Sequence, residues 1–119
     1  MVVPFTIFML SEPPIFHKTY ELILWFWPIV NKFPKSQRFV LGQRVENALI
    51  DFLELIIEAK NSKIKISALT KASIKLDKLR ILVRLAKDLH FISIKQYQFA
   101  VVMIDEIGKM LGGWLRSLD

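Results

Sequence analysis

The stretch that decides the fold is residues 67–89, SALTKASIKLDKLRILVRLAKDL. Within it Leu69, Ala72, Leu76, Leu79, Val83 and Ala86 recur at spacings of three and four. That rhythm puts them on one face of a helix with 3.6 residues per turn. Working outward, residues 36–60 repeat it with Leu41, Val45, Ala48, Phe52, Leu55 and Ala59 before an Asn61-Ser62-Lys63 break. On the other side Ser93 has the chemistry of an N-cap, and Tyr97, Ala100, Ile104, Ile107, Leu111, Trp114 and Leu118 form a seam behind it. A first helix is expected over residues 15–32, entered through Pro13-Pro14 and carrying Tyr20, Ile23, Trp27 and Val30. Pro28 should kink it by removing a backbone donor, and Phe33-Pro34-Lys35 closes it. Breaks of a few residues fold each helix back on its predecessor. The expected fold is all-α, an antiparallel up-down-up-down four-helix bundle.

The chain's 119 residues suit one domain. Residues 15–119 are assigned to the bundle and residues 1–14 to an apolar N-terminal extension. The extension opens MVVPFTIFML, without the basic start and small-residue cleavage site of a secretory signal. No window offers the run of about twenty apolar residues that a membrane span requires. A cytoplasmic protein with no membrane partner is therefore expected.

Apolar residues make up 53% of the chain, more than four single stripes need. The excess falls into second stripes. On the third helix Ile74, Ile81 and Leu85 lie nearly opposite the seam, and on the fourth Phe99, Met103 and Met110 lie well off it. Ile50, Leu53 and Ile57 flank the second seam, and Leu24, Trp25 and Phe26 make the first helix apolar nearly all round. A soluble monomer rarely exposes apolar patches beyond a few hundred Å². The second stripes are thus expected to form an oligomer interface of Ile74, Ile81, Leu85, Phe99, Met103 and Met110, closing a ring or barrel of identical chains. Gly108 and Gly112 mark either a close helix crossing or a fraying C-terminal turn.

Nothing in the sequence supports catalysis. There is no Cys, His17 and His90 are far apart, and no Gly-rich phosphate loop or nucleophile elbow occurs. Asp51, Glu54 and Glu58 share a helix face, as Asp105 and Glu106 do another, but the Glu-x-x-His pairs of a di-iron bundle are missing. No metal, cofactor or enzymatic activity is expected, and His90, which continues the third helix's seam, suits a core or end-of-helix histidine rather than a ligand. Charge is more informative. The chain carries a formal +6, yet between Lys60 and Lys87 lie nine cations and one acid, Asp77. Lys71, Lys75 and Lys78 fall on one side of the third helix, and Arg80, Arg84 and Lys87 on the other. Such stripes suit a phosphate backbone or an acidic protein. No DNA-reading motif is present, so binding would not be sequence-specific.

Three segments resemble a known family. YELILWFWPIVNKFPK (residues 20–35) resembles the four-helix-bundle family that includes proteins encoded in 23S rRNA intervening sequences. The likeness is closer to the accessory variability determinant proteins of diversity-generating retroelements. KLRILVRLAKDL (78–89) is similar to their L-R-x-x-x-R helix, carried here by Arg80 and Arg84. IDEIGKMLGGWLRSL (104–118) is similar to their closing helix. The resemblance implies a non-enzymatic homopentamer that binds the element's reverse transcriptase together with template RNA or cDNA and supports mutagenic reverse transcription. The alternative it leaves open is an RNA- or protein-binding scaffold of the intervening-sequence type.

Overall fold

A computed structural model describes residues 13–118. Four long helices run through them: α1 (Pro14–Val30), α2 (Gln43–Asn61), α3 (Ile66–Asp88) and α4 (Ile94–Arg116). A single helical turn, Lys35–Gln37, and a π-helical turn, Arg38–Gly42, lead into α2. Neighbours in sequence are neighbours in space: α1 packs on α2, α2 on α3 and α3 on α4, while α4 returns to α1. This is the square of an antiparallel four-helix bundle. Of the apolar extension expected over residues 1–14, only Pro13 and Pro14 lie among the described residues, and they open α1.

The caps explain the helix ends. Ser93 forms a full capping box: its Oγ accepts from the Gln96 amide at 3.0 Å, and its own amide donates to Gln96 Oε1 at 2.9 Å. The α2 C-terminus is closed by a lysine. Lys65 Nζ donates to the carbonyls of Ala59 (2.8 Å), Lys60 (3.0 Å) and Ser62 (2.8 Å), groups that lack partners within the helix. At the end of α3, His90 takes a left-handed conformation with φ 64°. Its amide donates to Lys87 and that of Phe91 to Ala86, which is a Schellman closure.

The α3 seam is buried at all six expected positions, and Ala100, Ile104, Ile107 and Leu111 carry the α4 seam. Helix α4 continues through Gly108, Gly112 and Gly113 to Arg116, so no fraying begins at the glycines. A Cβ on Gly108 would lie 2.7 Å from an Arg80 Nη and 3.6 Å from Leu76 Cδ2, which makes Gly108 the point of close approach to α3. Gly112 meets only its own helix's Arg116.

Two expectations are corrected. The core face of α1 is Ile15, Phe16, Thr19, Leu22, Phe26 and Val30, whereas Tyr20, Ile23 and Trp27 sit half-buried beside it. Apolar side chains on every side of this helix left its inward face ambiguous, and Phe26, counted among the surplus, is a fully buried core residue. Thr19 joins the core because its hydroxyl donates to the Ile15 carbonyl at 2.7 Å. Pro28 lies in the last turn of α1, where its missing donor removes one helical hydrogen bond close to the helix end. The second correction is Met103, which is 8% exposed and belongs to the core rather than to a second stripe. It precedes Ile104 on the inward face of α4, and its long flexible side chain fills space between helices.

Candidate nucleic-acid and partner interface

The remaining second-stripe residues divide by exposure. Ile74, Ile81 and Leu85 are exposed on the outer face of α3. Phe99 is exposed on α4 but rests on Trp25 of α1, ring centroids 4.7 Å apart. Met110 is half-buried against the core. Beside the α3 stripe the structure opens a groove of about 890 Å³ between the start of α2 and the middle of α3. Ile74 and Ile81 form one wall, and Phe39 and Val40 of the π-helical turn form the other. Phe39 is 73% exposed. A π-turn carries an extra residue, which lets Leu41 and Gly42 face inward while Phe39 and Val40 face out. Gly42 permits this because the backbone there presses on the core: a Cβ would sit 3.0 Å from Val30 Cγ1.

The six cations expected to bind a polyanion also divide. On the α4 side of α3, Arg80 pairs with Asp105 across the helix interface and lies 3.9 Å from Asp77. Arg84 lies 3.9 Å from Asp88, and Lys87 is 2.8 Å from the same carboxylate and 4.8 Å from the centre of the Tyr97 ring. The hydrogen bond from Lys87, with the charges of Lys87, Arg84 and His90, holds the Asp88 carboxyl below its usual range. On the α2 side Lys75 pairs with Asp51 at 3.3 Å. Lys71 and Lys78 are exposed and have no ion-pair partner among the described residues. One member of the Asp51, Glu54, Glu58 strip is thus bound within the protomer, while Glu54 and Glu58 remain exposed. On the opposite side of the bundle Lys18 is 2.8 Å from Glu106, and that hydrogen bond raises the lysine's pKa.

Sequence reasoning missed a second group of cations. Lys32, Lys35, Arg38 and Arg44 occupy the α1–α2 connection and the start of α2, with no ion-pair partner among the described residues. Arg38 Nε is buried without a hydrogen-bond partner. The signal was present in the sequence, since no acid occurs between Glu21 and Glu46.

The fold and both faces can now be set beside known proteins. Residues 15–118, nearly the whole bundle, match the family described as bAvd-like. The chain belongs to the bAvd-like family. The match spans all four helices, the exposed α3 stripe and both groups of cations. No curated protein matches the chain. Among the described residues no three His, Cys, Asp or Glu side chains are grouped to hold a metal ion, and no helix is long and apolar enough to cross a membrane.

Proposed function

We propose that this bAvd-like protein is the non-enzymatic accessory protein of a diversity-generating retroelement. In this role it binds the element's reverse transcriptase and, without sequence preference, template RNA or cDNA, and so supports mutagenic reverse transcription in the cytoplasm. Family membership across the whole bundle carries the reading. Two features of the surface support it. Nine cations against one acid crowd residues 60–87, a density that suits binding to a phosphate backbone. An exposed apolar stripe, Ile74, Ile81 and Leu85, lies against a groove edged by Phe39 and Val40, suited to burial between identical subunits. The assembly is a homo-oligomer, a pentamer if it follows the family resemblance, with Lys71, Lys75, Lys78, Arg80, Arg84 and Lys87 on its surface.

The decisive experiment is co-expression with the reverse transcriptase of the proposed retroelement, followed by copurification. The two proteins should elute together and carry nucleic acid that high salt removes. Clean separation at low salt would overturn the reading.

A further inference from the structure

The first ten residues, MVVPFTIFML, carry no charge and a single polar side chain, Thr6. They lie outside the described residues and join the bundle through Ser11 and Glu12 to Pro13, the N-cap of α1. Such a run gains from burial against any apolar surface within its reach. The two flanks of α1 differ in what they offer. Contacts to α4 are made by Lys18, 2.8 Å from Glu106, and by Trp25, which rests on Phe99. At about 100° per residue Tyr20, Ile23 and Trp27 fall on the opposite flank, toward α2. On α2, Asp51 faces Lys75 of α3, which puts Ile50, Leu53 and Ile57 on the flank toward α1. The two sets border one seam. Ile50 and Ile57 are exposed there, and Leu53, Ile23 and Trp27 are half-buried. This strip lies on the other side of α2 from the groove edged by Phe39 and Ile74.

We propose that residues 1–10 fold back from Pro13 and pack along this α1–α2 strip of their own chain as an apolar strap. Position favours it: the antiparallel order sets the start of α1 beside the end of α2, so the run enters at Ile57. Reach is sufficient. Trp27 stands about 20 Å along α1 from Pro14, and twelve residues span about 18 Å as a helix and about 40 Å extended. The chemistry matches as well, since Ile50, Leu53 and Ile57 follow one another on this flank between Glu46 and Lys60. The α4 flank suits the run less. Lys18 stands there between Glu21 at 3.8 Å and Glu106 at 2.8 Å, and an apolar strap would strip water from all three. Ile64 and Ile66, at the same end of the bundle, are single apolar residues among Lys63, Lys65 and Ser67. A tether of a few residues holds the run at an effective concentration of about millimolar or more, which sets its own chain ahead of a second copy. The groove between α2 and α3 stays open to that second copy, and the strap does not depend on what α3 binds.

The full chain contains no cysteine, so introduced pairs report proximity without background. Phe8→Cys is combined in turn with Ile57→Cys, Ile66→Cys and Lys109→Cys, the last two being exposed positions toward the same end of the bundle on other sides. Under mild oxidation the Ile57 pair should close within one chain at least about tenfold faster than either control, as read on non-reducing gels. A second measurement needs no cysteine. Brief chymotrypsin digestion with mass spectrometry follows cleavage after Phe5 and Phe8. Ile50→Asp/Ile57→Asp should speed that cleavage about tenfold by releasing the strap. Ile66→Asp/Val102→Asp, which alters exposed apolar residues elsewhere, should leave it unchanged. Circular dichroism checks that each variant keeps its helices. Equal closure rates for the three pairs, or faster closure with Ile66→Cys, would overturn the strap. Disulfides that form only between chains would give the run to a second copy, which also overturns it. So would a wild type whose run is cut as fast as that of Ile50→Asp/Ile57→Asp.

Discussion

At the scale of single residues, this protein places ordinary side chains in demanding positions. His90 ends α3 at φ 64°, where a Cβ crowds the backbone and glycine is the usual occupant. The Schellman bonds to Lys87 and Ala86 hold it there. His90→Gly should therefore stabilise the protein by about 0.5–1 kcal/mol, the conformational gain in the fold being partly offset by a more flexible unfolded chain. Urea denaturation measures it, and a loss of stability would mean that the imidazole makes a contact worth more than the strain. Gly108 shows the opposite economy. A bare helix position there gives Arg80 room to pass over α4 and reach Asp105. This contact ties α3 to α4 and accounts for Arg80 structurally, whatever else it binds.

At the scale of elements, the connections carry much of the specification. The α2–α3 turn contains no glycine, and a lysine satisfies the last carbonyls of α2 instead. Lys65→Met keeps the aliphatic stem and removes the ammonium, leaving three carbonyls to water. It should cost about 1–2 kcal/mol, the range for charge-assisted hydrogen bonds in partly exposed positions. Thermal unfolding followed by circular dichroism measures the loss, and Lys65→Arg should recover part of it. An unchanged midpoint for Lys65→Met would show that water serves these carbonyls as well. The π-helical turn before α2 has a different consequence. Its extra residue keeps the α2 seam in register with the core while turning Phe39 and Val40 outward, and so makes one wall of the groove.

At the scale of the whole molecule, the unsatisfied quantity is exposed apolar surface, part of it beside the groove between α2 and α3. Ile81 is 62% exposed and Ile74 53%, and across the groove Phe39 is more exposed than either. Burial of such residues is worth roughly 25 cal/mol per Å², so a second copy seated there would gain substantially. Light scattering on the purified protein should give a mass near five protomers of 13.9 kDa. Ile74→Asp/Ile81→Asp should lower that mass while leaving the helical circular dichroism signal unchanged, because neither side chain belongs to the core. A wild-type mass of one protomer would remove the interface. So would a double variant that assembles normally.

The sequence alone determined the four helices, their order and most of the core. Hydrophobic periodicity is a property of consecutive residues, and the α3 seam and the Ser93 cap that opens the next one were legible for that reason. It misjudged α1, because a helix apolar all round has no single inward face until its neighbours choose one. Met103 failed similarly: the angle of a residue on a helical wheel says less than how far an unbranched side chain reaches. The candidate surface was half legible. Charge density along α3 was visible, but whether a cation is free depends on acids distant in sequence, such as Asp51 for Lys75 and Asp105 for Arg80. Only tertiary structure brings those partners together. It alone could separate the cations held within the fold from those still facing solvent, because electrostatic pairing is set by distance in space.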